Sequence, residues 1–414
     1  MIHVHIPEDK YIKSYKVKLY PTEEQKATID RYINLSRYVY NWALEIQIEH
    51  EEKYMVDLEE KRLLSRQDVE RKFTKLRNAE GYEFLKEIPH ISARMAIWDL
   101  MKGFDMYYRG FNKHPRFKSK KDYKGYSYTT RFDTMYFEGK MLRIEGFKRG
   151  EKIRTGFDSG WTKETSPVFY KPVISRYNNG TYWITFGVMV DKPLDFFEKN
   201  KIKPLGRAIG IDLNVEKRFQ LSNGDVYYAP NLDREIKRLK RYQRKVSKDI
   251  RRFKQQERTN PKITVTKSNR SKKRLRKYQN QEKRIANITE NFIQQTTKEI
   301  IKMHPTAIVM EDLNVLNMHK TRFISKVISP VHSNFYRIRE VMTQKCNMYG
   351  IPLIIAPRTY PSSQLCSNCG HRQKIGSRKI YRCPICGQVI DRDLNAALNL
   401  EALAYIDFEI SEVA

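Results

Sequence analysis

The chain has 414 residues, 40% of them hydrophobic, which is enough for about two to four cored domains and excludes a disordered chain. Lys and Arg number 79 against 48 Asp and Glu, a net charge of +31, so a polyanion is the expected partner and nucleic acid the first candidate. No apolar run approaches the ~18–20 residues of a membrane span, the first 18 residues carry no signal-peptide stretch, and the five cysteines (four together, one apart) are no secreted disulfide framework, so a reducing, cytoplasmic location is expected.

Residues 14–20 alternate as a short strand that Pro21 stops. Thr22 and Gln25 then form a capping-box pattern. Ile29, Ile33, Val39, Trp42, Ala43 and Ile46 recur at helical spacing, and the helical region is expected to reach about Phe104. Its acids (Glu49, Glu51, Glu52, Asp57, Glu59, Glu60) read as a solvated face. From Phe104 to Phe132 bases and aromatics interleave, among them Tyr107, Arg109, Lys113, Arg116, Phe117, Lys118, Lys120 and Lys121. Rings stack on nucleobases and cations meet phosphates, so this stretch is a candidate nucleic-acid contact.

Residues 133–190 read as β, with a hairpin turn at Asn178-Asn179-Gly180. Together with 14–20 they are expected to build a small barrel into which the helices are inserted. Pro193–Leu205 reads as a linker. Ala208–Leu213 is an apolar strand carrying one carboxylate, Asp212, and Asn223-Gly224 signals a second hairpin. Residues 231–284 hold 22 Lys or Arg and 5 Asp or Glu. Leu239, Tyr242, Val246 and Ile250 mark helical periodicity, so two long helices are expected around Pro261. A solvated helix face usually balances its charges. This one does not, and Lys240, Arg241, Arg244, Arg251 and Arg252 are candidate backbone contacts. Residues 306–313 form another apolar strand ending in acid, Glu311 and Asp312, and Pro352–Ala356 a further buried strand.

Cys366-x-x-Cys369 and Cys383-x-x-Cys386 lie 13 residues apart, with Gly370 and Gly387 after each second cysteine. Four thiolates in two tight knuckles suit one structural zinc ion. Cys346 reads as ordinary packing.

Asp212, Glu311 and Asp393 stand on separate elements. Metal-dependent nucleases need several oxygen ligands converging on one point, and magnesium prefers carboxylates and water. An acid in a buried strand is costly unless paired or metal-bound. Each acid alone has a plainer reading: a salt bridge for Asp212 or Glu311, a helix cap for Asp393.

The combination of motifs resembles the TnpB family, transposon-encoded proteins related to the miniature type V CRISPR effectors. The resemblance is carried by Gly210-Ile211-Asp212-Leu213-Asn214, Glu311-Asp312-Leu313-Asn314, Ser362-Ser363-Gln364-Leu365-Cys366, Cys383-Pro384-Ile385-Cys386-Gly387 and Arg392-Asp393-Leu394-Asn395-Ala396-Ala397-Leu398-Asn399. Leu19-Tyr20-Pro21-Thr22 and Pro115-Arg116-Phe117-Lys118 look like the family's N-terminal half. One departure is Phe335, where many relatives carry Trp.

The resemblance implies an α+β multidomain protein. Residues 1–21 and 120–200 would form a wedge β-barrel and 22–119 a helical recognition domain. Residues 201–360 and 388–414 would form a RuvC-like nuclease of ribonuclease-H fold, with 361–387 as an inserted zinc ribbon that binds target nucleic acid. The implied activity is RNA-guided cleavage of double-stranded DNA, with a guide RNA from the transposon end and a short target-adjacent motif read by the protein. Asp212, Glu311 and Asp393 take the catalytic positions and would hold two magnesium ions; the Asp-x-Asn-Ala-Ala spacing selects Asp393 over Asp391. A monomer or homodimer on one guide RNA is expected. Alternatives are a nuclease-silent RNA-guided repressor, a miniature CRISPR effector, a transposase that joins DNA ends, and a plain zinc-ribbon RNA-binding protein.

Overall fold

The structure is a computed structural model that describes residues 6–54, 63–110, 112–119, 126–129, 135–148, 150–177, 179–193, 195–214, 217–259, 268–312, 334–376 and 378–411. The chain divides into two compact units, Met1–Asp191 and Lys192–Ala414. Its class is α+β.

The first unit joins three helices to a seven-stranded antiparallel sheet. Strand β1 (Lys10–Tyr20) runs into helix α1 (Glu23–Tyr54) through the expected capping box. The Gln25 N–H donates to Thr22 Oγ1 at 3.3 Å, and the Thr22 N–H to Gln25 Oε1 at 3.1 Å. Helices α2 (Arg66–Arg77) and α3 (His90–Tyr108) follow, with Ile29, Ile33, Val39, Phe73, Ile97 and Phe104 in their shared core. Strands β2 (Tyr126–Thr129), β3 (Tyr136–Glu138), β4 (Met141–Arg143), β5 (Ile153–Thr155), β6 (Phe169–Arg176) and β7 (Tyr182–Asp191) complete the unit. The sheet order is β2-β6-β7-β1-β5-β4-β3, and no ladder joins β2 to β3 among the described residues. β1 lies along β7 for ten residue pairs. The hairpin between β6 and β7 turns where Asn179-Gly180 predicts it, Gly180 having φ +78°.

Two expectations shift here. Tyr126–Thr129 falls inside the basic-aromatic stretch yet pairs with β6, because its aromatic–hydroxyl alternation suits a strand. Glu51 is not on a solvated face. It accepts hydrogen bonds from Tyr108 Oη and, at 3.1 Å, from His114 Nε2, and so anchors the segment after α3 to α1. Asp57, Glu59 and Glu60 lie outside the described residues.

In the second unit, Pro193–Leu205 is more than a linker. It contains a one-turn helix, α4 (Phe196–Lys199), whose Phe197 is buried with its ring 3.7 Å from that of His304. The sheet of this unit is built from β8 (Ile209–Asp212), β9 (Phe219–Leu221), β10 (Val226–Tyr227), β11 (Ile308–Glu311) and β12 (Leu353–Ala356), in the order β10-β9-β8-β11-β12. β8, β11 and β12 are parallel, as near-continuous apolar runs predict for strands covered on both faces. Two long helices, α5 (Asp233–Thr259) and α6 (Asn269–Lys302), follow β10, and α7 (Phe335–Tyr349) precedes β12. Pro261 lies outside the described residues. The last strands, β13 (Ile380–Arg382) and β14 (Val389–Asp391), form a two-stranded sheet that leads into the terminal helix α8 (Arg392–Ser411).

Strand parity assigns the two sides of the sheet. Ile209, Ile211, Ile308 and Met310 pack in one core with Ile293 and Ile300 of α6 and Ile338, Val341, Met342 and Cys346 of α7. Ala208, Ala307, Val309 and Ala356 pack in another with Leu400 and Ala404 of α8. Cys346 is the packing residue its pattern predicts, and burial pushes its thiol up to about 12.

Candidate active site

Parity also decides where the acids point. Side chains two apart along a strand share a face. Asp212 therefore shares the α8 face with Ala208 and Gly210, and Glu311 shares it with Ala307 and Val309. β8 and β11 are parallel neighbours in register at Ile209/Ile308, Gly210/Val309 and Ile211/Met310, so Asp212 and Glu311 come one residue further on, side by side at the carboxyl ends. The small side chains on this face let α8 approach closely. A Cβ on Gly210 would lie 2.0 Å from the Ala397 carbonyl oxygen and 2.4 Å from the Glu401 nitrogen.

From that crossing point the third acid follows. α8 runs antiparallel to β8: Arg207 Nη2 bonds Glu401 Oε2 at 3.0 Å, the Ala208 N–H donates to Tyr405 Oη at 3.2 Å, and Asn214 Nδ2 reaches Asp393 Oδ2 at 3.3 Å. Two residues forward along β8 from Gly210 is Asp212, about 6.6 Å on at strand rise. Four residues back along α8 from Ala397 is Asp393, about 6 Å on at helix rise. The two displacements match, so Asp393 comes over Asp212.

The electrostatics agree with this convergence. Burial, then the charges of Glu311 and Asp393, push the Asp212 carboxyl well above the usual carboxylate range, with Arg392 opposing them and Asp391 adding to them. Burial also raises Glu311, against a hydrogen bond from Ser362 and the charge of Arg392. The three carboxylates are set wider than a closed metal cage: among the described residues, only the four cysteines bring ligand atoms all within 4.8 Å of one another. An open set of hard oxygen donors around a destabilised buried carboxyl fits a divalent cation that keeps several waters.

Asp391 has a different task. Its Oδ1 accepts from the Asp393 and Leu394 N–H groups at 3.0 and 3.2 Å, which makes it the cap of α8. Burial works against its charge, but Lys217 and these N–H groups hold it below the ordinary carboxylate value. The cap thus belongs to Asp391, leaving Asp393 in the first turn, facing the sheet.

Sequence reasoning missed Lys217. Its Nζ lies 2.8 Å from Asp391 Oδ2 and 3.6 Å from Asp393 Oδ2, a protein-borne cation at the mouth of the acid cluster. Nothing local in the sequence marks it. Asp312 is held by Arg339 at 2.6 Å and Arg358 at 2.7 Å, so it fixes the strand end and leaves Glu311 as the inward acid. Phe335 is buried beneath the Arg218 guanidinium, 5.2 Å from its ring, which accounts for a large aromatic at that position.

The four thiols lie together as their spacing predicts. Cys366 Sγ is 3.6 Å from Cys386 Sγ, and Cys369 Sγ is 3.5 Å from Cys383 Sγ. Zinc bonded tetrahedrally at ~2.3 Å would put the sulfurs about 3.8 Å apart. With all four sulfurs within 4.8 Å of one another, the set suits a zinc ion. A hydrogen bond from Asn368, aided by the Gln388 backbone, pulls the Cys386 thiol down to about 6, close to the thiolate a metal needs.

The expected nucleic-acid contacts are mostly at the surface. Lys240, Arg241, Arg244, Arg251 and Arg252 are exposed on α5. The α5–α6 hairpin is held by the few acids among its bases: Asp249 accepts from Arg274 at 2.7 Å, and Glu235 from Gln281 at 2.5 Å. Arg109, Lys113, Arg116 and Phe117 are exposed, and Tyr107 is half-buried against His114. Lys118 is exposed as well; its backbone is stapled to Asn41 by bonds of 2.8 and 3.0 Å, and its ammonium lies 3.6 Å from the centre of the Tyr40 ring. Lys120 and Lys121 lie outside the described residues.

The second unit is thus an α/β layer whose parallel strand ends and terminal helix gather acids, joined to a small four-thiol module. Residues 335–400 match the Cas12f1-like TNB domain family. Residues 11–53 match a helix-turn-helix domain family, although here they form β1 and one continuous helix, α1. The chain is 27% identical over 94% of its length to a Streptomyces pristinaespiralis protein named "Putative RNA-guided DNA endonuclease", covering 89% of it. It is 24% identical over 96% of its length to InsQ of Escherichia coli K12, which carries the same description, covering 93% of that protein. It is 22% identical over 94% of its length to the TnpB-like protein L79 of Acanthamoeba polyphaga mimivirus, covering 73% of it. Along almost its whole length the chain is thus similar to proteins described as putative RNA-guided DNA endonucleases or as TnpB-like.

Proposed function

We propose that this chain is an RNA-guided DNA endonuclease whose cutting site is formed by Asp212, Glu311 and Asp393. The relatives it matches along almost their full length carry that description. The observation that carries the reading is the meeting of three acids from β8, β11 and α8 on one face of a sheet, at a cost in buried charge that a bound cation would relieve. The strand order and the covering helices suit a RuvC-like nuclease domain, and the cysteine module suits a zinc ribbon inserted before its last helix. The wedge and recognition regions would then fall in the first unit.

Asp212, Glu311 and Asp393 would hold divalent metal, magnesium by the chemistry of the donors, and Cys366, Cys369, Cys383 and Cys386 would hold zinc. Divalent cations bound there would supply the Lewis acidity that activates water and stabilises the leaving oxygen of a phosphodiester. The chain's own residues do the rest. Asp391 caps α8 and so sets the height of Asp393. Lys217 and Arg392 balance the acids before a cation enters. The exposed bases of α5 meet phosphates, while pairing between a transposon-end guide RNA and its target supplies sequence specificity and the protein reads charge, shape and a short target-adjacent motif.

The test is Asp212→Ala in the guide-RNA complex. Magnesium-dependent cleavage of target duplex is expected to disappear while guide RNA stays bound. A variant that still cuts would refute the assignment. A wild-type chain that binds guide and target without cutting would favour a nuclease-silent repressor.

A further inference from the structure

The segment between β12 and the first cysteine knuckle touches both candidate metal sites. Ser362 is 3% exposed, and its hydroxyl donates to Glu311 Oε1. Three residues on, the Leu365 carbonyl accepts from Asn399 Nδ2 at 2.8 Å and from Asn395 Nδ2 at 2.6 Å. Asn399 Nδ2 also reaches the Ser362 carbonyl at 2.7 Å, and the Ser367 N–H donates to Asn395 Oδ1 at 2.9 Å. Cys366 sits between Leu365 and Ser367. Asn395 and Asn399 are buried and belong to α8, the helix that carries Asp393.

Buried amides on an otherwise apolar helix face are costly unless each polar atom has work. Here the paired amides clamp one short strap to the helix of the third acid. The strap presents a hydroxyl to the second acid at one end and a thiol to the knuckle at the other. We propose that Ser362 is a positioning residue for Glu311. Its hydroxyl fixes the carboxylate rotamer through Oε1 and leaves Oε2 for the cation, and the Asn395–Asn399 clamp holds that hydroxyl in register with Asp393. The four-thiol knuckle and the acid cluster are therefore one mechanical unit.

This inference rests on the acid-site reading above, and the experiment separates the two. Manganese binding to the zinc-loaded full chain is titrated by electron paramagnetic resonance, with Asp212→Ala as background and zinc content measured for every protein. Removing a hydrogen-bond partner of a metal ligand weakens metal affinity by ~10–100-fold. Ser362→Ala is expected to raise the half-saturating manganese concentration at least about tenfold while keeping its zinc. Ser362→Thr, which keeps the donor, is expected to restore binding. Wild-type affinity in Ser362→Ala overturns the proposal, and so does a Thr variant no better than Ala, because packing alone would then explain the loss. Manganese binding that survives in Asp212→Ala overturns the acid site itself, and the positioning role with it.

Discussion

Replacing Gly210 with alanine would place a methyl group where α8 already lies. Gly210 does not adopt the left-handed backbone that favours glycine; what it supplies is space. The new Cβ would stand 2.0 Å from the Ala397 carbonyl oxygen, whereas ordinary contact begins near 3.4 Å. The neighbour is helix backbone, which cannot rotate away as a side chain would, so α8 must retreat by about 1.4 Å or tilt. Asp393 lies one turn from that contact and would leave Asp212 with it. Overpacking of this kind costs about 1–3 kcal/mol, and in a unit of this size that lowers Tm by roughly 3–10 °C. Misplacing a reacting group by about 1 Å costs about 100-fold in rate. The assay is guide-directed cleavage at saturating magnesium, with Tm and guide-RNA binding measured in parallel. The expected result is a rate about 100-fold lower with guide binding unchanged, since the hairpin's α6 packs against the opposite face of the sheet from α8. Cleavage within twofold of wild type at an unchanged Tm would refute the close approach of α8 and the placement of Asp393 that follows from it.

Two further outcomes are expected. The folded state raises the Asp212 pKa, so in metal-free protein its contribution to stability is full below the unfolded value and is lost as pH rises through the folded one. Asp212→Asn should therefore melt above wild type at pH 8 without metal, the gap closing in acid, and magnesium should raise the Tm of wild type but not of the variant; a variant that melts at or below wild type at pH 8 contradicts this. Cys383→Ser should lower zinc from about one ion per chain to near none and loosen the module around Tyr381, seen as a lower first melting transition; a serine variant that keeps its zinc would show that the four thiols do not act as one site.

Much of this protein is written in local sequence. Thr22 with Gln25, and Asn179-Gly180 and Asn223-Gly224 between alternating arms, specify their structures through neighbours a few residues away, and the four cysteines at knuckle spacing do so within one short segment. The excess of lysine and arginine in 231–284 is legible for the same reason, since composition needs no partner. The strand parity of Asp212 and Glu311 is also in the sequence, as is the small-residue face Asn395-Ala396-Ala397. What the sequence could not decide is which side chains meet across about 50 to 180 residues of chain. Asp391 caps α8 because of where the helix begins. Lys217 stands before Asp393, Glu51 turns to His114, Lys118 lies over Tyr40, and Ser362 reaches Glu311, and nothing adjacent to these residues announces their partners. The pairings of Lys217 and Ser362 exist only once the sheet of the second unit has set its register and α8 has closed against Gly210, and those of Glu51 and Lys118 only once the segment after α3 has packed against α1. A contact between distant segments is a product of packing, whereas a turn or a metal knuckle is a property of the segment itself.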